Sequence, residues 1–200
     1  MDDLGADCIK VGMLSNPRII DIVYKTLQQE VPKIPIILDP VMVAKGGASL
    51  LTNEAVESLK ELLLPKAFLL TPNIPEAIAL TQLEGHLTND SELLLSVLLG
   101  MGSNAVLLKG GHRESDLIVD FLHEHGRNIK RFENPRIPSK DTHGTGCTLA
   151  SAIATGIAQS LTLEDSVIRA RKYVYEAIMS APGLGWGHGP LNHGHLIPNY

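Results

Sequence analysis

The sequence is poor in residue types that would point to several common classes of protein. It has only 2 cysteines in 200 residues, Cys8 and Cys147, which are far apart and give no disulfide framework. Aromatic residues make up 4% of the chain, too few for the stacking platforms that bind single-stranded nucleic acid. No apolar run is long enough to span a bilayer, and the acidic residues 1–5 do not resemble a signal peptide. We therefore expect a soluble, cytoplasmic protein.

Positive charge is also scarce. The chain has 17 Lys and Arg against 22 Asp and Glu, a formal net charge of -5, which argues against a general nucleic-acid binder. Hydrophobic residues make up 44% of the chain, enough to build a core and to exclude disorder for most of it. Because no linker or internal repeat divides the sequence, we expect a single domain over residues 1–200.

Apolar runs and amphipathic segments alternate along most of the chain. Short apolar runs that end in Gly, Pro or a polar residue predict buried parallel strands, and they lie at 8–12, 34–40, 67–72 and 104–109. Helices are predicted at 18–29, 52–64, 75–80, 90–101, 147–159 and 163–181. Residues 116–123 and 128–132 predict a hairpin with its turn at 124–127, followed by a polar loop through Pro135 and Pro138. The run His123-Glu124-His125 is expected to be solvated in this hairpin turn. This order predicts an α/β fold with a mainly parallel sheet flanked by helices and a late antiparallel hairpin.

Polar residues follow several of the predicted strands. Asp39, Thr71, Asn73, Lys109 and Gly110 each come at or just after a strand end. In parallel sheets, ligands bind beyond the carboxyl ends of the strands. The sequence therefore predicts that polar chemistry gathers at one edge of the sheet.

Residues 141–148, with the sequence Asp-Thr-His-Gly-Thr-Gly-Cys-Thr, join an irregular loop to an Ala-rich helix. Glycines let the backbone approach a ligand closely, and the first amides of a helix point at an anion that its dipole favours. The motif is no Walker loop, because no Gly-Lys pair occurs in the chain, and it lacks the spacing of a dinucleotide fingerprint. The alternatives are an anion site, with phosphate as its usual occupant, and a glycine-rich turn without a ligand.

This octapeptide resembles the phosphate-binding signature of the ribokinase superfamily. Its cysteine makes it similar to the hydroxymethylpyrimidine/phosphomethylpyrimidine kinases of thiamin synthesis, as do the segments 10–14, 38–42, 70–77, 109–112 and 187–193. The resemblance implies a three-layer ribokinase-like fold and ATP-dependent phosphorylation of 4-amino-5-hydroxymethyl-2-methylpyrimidine and then of its monophosphate, with Mg²⁺. It also implies a homodimer. Members of that family begin earlier, so the resemblance implies that the N-terminal strands and part of the pyrimidine pocket are missing here.

The resemblance assigns catalytic roles around the octapeptide. The backbone amides of Gly144, Thr145, Gly146 and Cys147 would hold the transferring phosphate. Cys147, where the wider superfamily has an Asp base, would take, or help to orient, the proton of the substrate hydroxyl, since a helix start favours the thiolate. Lys109 would neutralise ATP phosphates. Without the resemblance, a small buried residue at a tight helix start is the favoured interpretation of Cys147, and a surface lysine is the alternative for Lys109.

Acidic and amide residues would hold the cation and the nucleotide. The resemblance places Mg²⁺ near Asp39 and Glu76, because this ion prefers oxygen ligands and keeps several waters. Asn73 would contact the nucleotide phosphates. Asp141, Thr142 and Gly110 would also contact the nucleotide. From the residues alone, Asn73 and Glu76 also fit a helix cap, and Asp39 a local turn.

The substrate side is less well defined by the sequence. Gly12, Met13 and Val41 resemble residues that line the pyrimidine pocket, whereas composition alone favours core packing for Met13 and Val41. A pyridoxal-type kinase is the nearest alternative, because pyridoxal is also a flat heteroaromatic hydroxymethyl compound. A non-catalytic remnant that binds nucleotide or pyrimidine is the alternative from another class. For the His-rich tail, docking or flexibility is favoured over a metal site.

Overall fold

Six strands form one sheet in the order β1-β2-β3-β4-β5-β6 in the computed structural model, which describes residues 3–30, 33–43, 50–111 and 115–197. The first four strands pair in parallel, and the last two pair antiparallel to their neighbours. Their bounds are β1 (Ile9–Val11), β2 (Ile36–Leu38), β3 (Leu69–Leu70), β4 (Ala105–Leu108), β5 (Leu117–Glu124) and β6 (Lys130–Pro135). The predicted mainly parallel sheet with a late hairpin is confirmed.

Helices connect and cover these strands. They are α1 (Pro17–Glu30), α2 (Asn53–Ser58), α3 (Ile74–Thr81), α4 (Ser91–Gly100), α5 (Thr145–Ala158) and α6 (Leu163–Met179). The chain after α2 continues through a π-helical turn, Leu59–Leu63, into a 3₁₀ turn, Leu64–Lys66. The predicted helix at 52–64 therefore runs past its expected end, because Pro65 lies in the first turn of the 3₁₀ segment, where a missing N–H costs little.

Strand side chains point alternately to two hydrophobic cores, one on each face of the sheet. Leu38, Leu70 and Val106 lie in the core that includes residues of α1, α2, α3 and α4. Ile37, Leu69 and Leu107 lie in the opposite core, with residues of α5 and α6. Two cores on one sheet give three layers, as the resemblance implies.

Several local predictions are wrong. Pro135 ends strand β6 rather than lying in a loop, and it pairs with Leu117 at the edge of the sheet, where proline is tolerated. Helix α5 begins at Thr145 rather than at residue 147, because Gly144 provides the turn with φ +84°. His123 is not in a solvated turn: it pairs with Val106, and its Nδ1 is buried. The sequence also gives no warning of the 3₁₀ turn Gly85–Asn89.

Candidate active site

Asp39, directly after β2, lies at the centre of the candidate site. Its side chain is 1% exposed, and Oδ1 accepts hydrogen bonds from Thr71 Oγ1 at 3.1 Å and Lys109 Nζ at 2.9 Å. Its Oδ2 is 3.7 Å from the ammonium of Lys10. These partners lie on or next to three other strands, so the local-turn interpretation of Asp39 is wrong. The carboxylate is held instead between two lysines.

Lys109 follows β4 and connects Asp39 with a second carboxylate. Its backbone N–H donates to Pro72 O at 2.8 Å, and its Nζ is 4.0 Å from Glu76 Oε2. The Lys109 side chain is mostly buried, which excludes the alternative of a lysine extended along the surface. Its ammonium therefore balances two buried acidic groups at the edge of the sheet.

Glu76 and Asn73 form a reciprocal cap at the start of α3. Asn73 Oδ1 accepts from the Glu76 N–H at 2.9 Å, and Glu76 Oε2 accepts from the Asn73 N–H at 2.8 Å. The cap interpretation is thus confirmed, and it places Glu76 beside Lys109. Burial raises the pKa of Glu76 above its usual value, although the nearby Lys109 ammonium lowers it in part.

The glycine loop before α5 begins a helix without a side-chain cap. Helices α2, α3, α4 and α6 are capped by side chains, those of Thr52, Asn73, Asp90 and Thr162. No side chain among the described residues does this for α5, whose N-cap is Gly144. A Cβ at position 146 would lie 3.3 Å from Lys109 Nζ. The first amides of α5 therefore lie next to the lysine and its carboxylates, as an anion site requires.

The two cysteines differ in their surroundings. Cys147, in the first turn of α5, is exposed, so the interpretation of a small buried residue is wrong. Cys8, just before β1, is half-buried, and burial raises the pKa of its thiol. Accessibility and the position at a helix start make Cys147 the more reactive of the two.

Asp141 lies under the C-terminal segment. Its carboxylate packs against Gly189, where a Cβ would collide with Oδ1. The His143 N–H donates to Gly189 O at 3.1 Å, and His143 and Pro190 form an isolated β-bridge, so the segment is docked beside the irregular chain that leads to the glycine loop. Within the described ranges, no three or more His, Cys, Asp or Glu side chains gather as a metal cluster would need.

The expected pyrimidine residues follow β1 and β2. Met13 is 52% exposed, so core packing is wrong for it, and Val41 is half-buried. Gly12 lies directly against the ammonium of Lys10, which the sequence reasoning did not single out. The place of Lys10 beside Asp39 follows from the strand register, in which Lys10 pairs with Ile37, two residues before Asp39, and only the folded chain shows this register. His112, the last residue of the segment 109–112, lies outside the described residues.

The carboxylates of the site fit a magnesium ion. Asp39 Oδ2 is buried and has no hydrogen-bond partner in the part of the chain that the structure describes. Mg²⁺ is commonly held by one or two carboxylates, together with waters and substrate phosphates. Asp39 and Glu76 supply such a pair, and a larger protein cage is not needed.

Comparison with known proteins shows which family the chain belongs to. A family model described as phosphomethylpyrimidine kinase matches residues 1–192. The chain belongs to this family. Within the phosphomethylpyrimidine kinase family, it is 47% identical over 194 residues to the thiamine biosynthesis bifunctional protein ThiED of Geobacter sulfurreducens. It is 41% identical over 193 residues to the hydroxymethylpyrimidine/phosphomethylpyrimidine kinase of Bacillus subtilis.

The matches cover different shares of the relatives. They include 96% of this chain in both cases, but 39% of the bifunctional protein and 70% of the Bacillus kinase. Among solved structures, an ADP complex of Bacillus subtilis pyridoxal kinase superposes with a TM-score of 0.85 at 28% identity, covering 98% of this chain and 72% of that one. This likeness confirms the ribokinase-like fold. In the described part of the phosphomethylpyrimidine kinase chain, no helix is both long and apolar enough to cross a membrane.

Proposed function

We propose that this chain transfers the γ-phosphoryl group of ATP to 4-amino-5-hydroxymethyl-2-methylpyrimidine and then to the resulting monophosphate. The observation that carries the proposal is the uncapped start of α5 beside Lys109. In a member of the phosphomethylpyrimidine kinase family, this arrangement matches the needs of phosphoryl transfer, which are positioning and charge neutralisation. The bifunctional relative's name places that protein in thiamine biosynthesis, and we extend the pathway to this chain.

Two kinds of group stabilise the negative charge of the transferring phosphoryl group: backbone amides and an ammonium. The amides of Gly144, Gly146 and Cys147 hold its oxygens, joined by that of Thr145, whose N–H makes only a long bond of 3.4 Å to Thr142 O. The Lys109 ammonium, next to Gly146, neutralises the developing charge. The substrate hydroxyl oxygen forms the new bond to phosphorus while the bond to the β-phosphate oxygen breaks. We assign to Cys147 the role of accepting, or helping to orient, the hydroxyl proton.

Other residues hold the reactants in place. Asp39 and Glu76 would hold Mg²⁺, which supplies charge neutralisation on the ATP phosphates. We assign Asn73, Asp141, Thr142 and Gly110 to the nucleotide side and Gly12, Met13 and Val41 to the pyrimidine side. The exposure of Met13 is consistent with a side chain that a ligand covers on binding.

The proposal is tested by ADP release coupled to an optical assay, with hydroxymethylpyrimidine and MgATP as substrates. We expect turnover that Lys109→Ala reduces at least about a hundredfold, because the lost ammonium faces the transferring charge. Lys25→Ala, which removes a lysine that is 65% exposed and paired with Asp21 on the surface, is the matched control and should retain full activity. Thermal shifts with MgATP and with the pyrimidine are measured in parallel. Binding without ADP formation would instead support the non-catalytic binding module.

A pyridoxal-type kinase is the second candidate, and the superposition with pyridoxal kinase favours it. The identity is lower there, 28% against 41% for the pyrimidine kinase of the same organism. We therefore expect a higher kcat/KM for hydroxymethylpyrimidine than for pyridoxal in a side-by-side assay, and the reverse order would favour the second candidate. The homodimer and the cytoplasmic location stay predictions, the former to be measured by light scattering.

A further inference from the structure

A buried ion pair connects the hairpin to α6 behind the candidate site. Asp120 of β5 and Arg171 of α6 are both at least nine-tenths buried and form a direct salt bridge. Arg171 also donates to Asn134 Oδ1 at 2.6 Å, and its guanidinium carbon is 5.7 Å from the centroid of the Phe132 ring. Burial lowers the pKa of Arg171 to about 10, so the guanidinium remains charged at neutral pH. The pair is fully engaged and takes no direct part in the site.

The second oxygen of Asp120 points toward the candidate site. Asp120 Oδ1 accepts the backbone N–H of Gly110 at 2.8 Å, whereas Oδ2 faces Arg171. Gly110 packs so closely on β5 that a Cβ there would collide with Val119 O. The Gly110 amide is therefore committed to Asp120, and the absence of a side chain allows the contact.

These bonds fix the peptide that carries the lysine of the site. The Lys109 N–H is bonded to Pro72 O, and the next N–H along the chain is bonded to Asp120. The backbone is thus anchored on both sides of the Lys109 Cα. From this point the side chain extends to Asp39 and to Gly146.

We propose that Asp120, whose buried charge Arg171 balances, is a positioning residue that sets the place of the Lys109 ammonium for phosphoryl transfer. This inference rests on the proposed function. A buried ion pair is weak evidence for stability, because apolar replacements of similar volume often leave stability unchanged or higher. The geometry of this pair instead holds the backbone in place: Arg171 orients the Asp120 carboxylate, and the carboxylate orients the Gly110 N–H next to Lys109. Misplacement of a charged group by about 1 Å can cost about a hundredfold in rate.

Two double variants separate position from charge. Arg171→Met with Asp120→Asn removes both charges but keeps an oxygen acceptor for Gly110. Arg171→Met with Asp120→Leu removes the charges and the acceptor. We expect the asparagine pair to keep kcat within about threefold of the unchanged chain, and the leucine pair to lose about tenfold or more in kcat with little change in the KM for the pyrimidine. Equal kcat values for the two pairs would overturn the inference.

Stability and backbone order are measured on the same samples. Val167→Ala, which opens a cavity in the apolar core one turn before Arg171 on α6 and removes no polar group, is the control for stability: it should lower the melting temperature but keep kcat. If the leucine pair does not fold, Asp120→Glu replaces it, since its longer side chain keeps the charge but displaces the acceptor. A loss of kcat that follows the melting temperature across all variants would contradict positioning.

Amide hydrogen exchange tests the order of the backbone around Lys109 without relying on turnover. In the segment 105–111 we expect faster exchange in the leucine pair than in the asparagine pair, because only the latter holds the Gly110 amide. If the unchanged chain forms no ADP, the proposed function fails, and the exchange data alone decide whether Asp120 orders the backbone at Lys109. Identical amide exchange in the segment 105–111 of both double variants would overturn the inference, whatever their activity.

Discussion

The Lys109 ammonium lies within 4.0 Å of the buried carboxylates of Asp39 and Glu76. In such a group, loss of the Lys109 ammonium leaves carboxylate charge that is costly to bury without a partner. The same charges are what a phosphoryl group and its magnesium ion meet on arrival. Stability and chemistry at these residues are therefore coupled, and single substitutions should change both.

Cys147→Ala should lower kcat by about 10² to 10⁴, because general-base catalysis contributes about that much. Cys147→Asp should restore part of the activity, since a carboxylate at the helix start can accept the same proton. Cys8→Ala is the matched control and should leave kcat unchanged. Iodoacetamide labelling, read by mass spectrometry, should modify Cys147 well before the half-buried Cys8. Full activity in Cys147→Ala would remove the proton-acceptor role.

Glu76→Gln should raise the melting temperature at pH 7 while lowering the rate of ADP release. Burial raises the pKa of Glu76, so the folded state holds its proton more tightly than the unfolded state does. Ionisation therefore costs stability as the pH rises from the unfolded pKa through the folded one. Glutamine keeps an oxygen for the cap of α3 and removes this cost. The gain in melting temperature should shrink as the pH falls below the folded pKa, and a pH-independent gain would contradict the explanation.

Single residues at strand ends were the easiest part of the site to predict. Asp39 and Lys109 follow apolar runs directly, and the parallel sheet brings such positions together. Lys10, Asp120 and Arg171 gave no comparable signal. Lys10 lies inside a strand, and the Asp120–Arg171 pair joins elements far apart in the sequence, so only the folded chain shows what they contact.

At the scale of elements, the start of α5 combines two glycines with different tasks. Gly144 has φ +84°, a conformation that side chains disfavour, whereas Gly146 lies within the helix and next to Lys109. Gly144 therefore allows the backbone to turn before the helix, whereas Gly146 leaves space for a ligand at the anion site. This separation was not visible from the spacing of the motif.

Gly146→Ala should reduce activity with little effect on stability, because its Cβ would crowd the Lys109 ammonium and the phosphate beside it. Gly144→Ala should instead lower stability by about 1–2 kcal/mol through its left-handed backbone. Gly126→Ala is the control: it has φ +72° and no neighbour near its Cβ, in a hairpin turn. It should show the same loss of stability in urea unfolding, with full kcat. A Gly146→Ala variant with normal kcat would place the phosphate elsewhere.

Strand and helix order followed from the apolar pattern, but element ends did not. Helix α5 starts two residues before its predicted position because Gly144 supplies the turn, and Pro135 remains in β6 because it lies at the edge of the sheet. Both exceptions depend on backbone geometry or on sheet position, which a local pattern does not contain.

At the scale of the whole molecule, the C-terminal segment closes the chain back onto the glycine loop. The His143 N–H meets Gly189 O, and the Asn192 N–H donates to Ala177 O at 3.0 Å. Leu191, between these contacts, is buried. The segment thus joins the end of α6 to the approach of α5. Of the two alternatives that the sequence leaves open for the tail, flexible or docked, its described residues show the docked one.

Leu191→Ala should lower the free energy of unfolding by about 2 to 3 kcal/mol, the usual cost of a cavity at a buried leucine. Because the segment also lies on Asp141 and His143, the variant should weaken MgATP binding, seen as a higher KM for ATP. Trp186→Ala is the matched control within the same segment: Trp186 is fully exposed, so its loss should change stability by less than about 0.5 kcal/mol. Urea unfolding and ATP titration of both variants decide the point. A Leu191→Ala chain with normal stability and normal KM would show that this segment lies on the loop without supporting it.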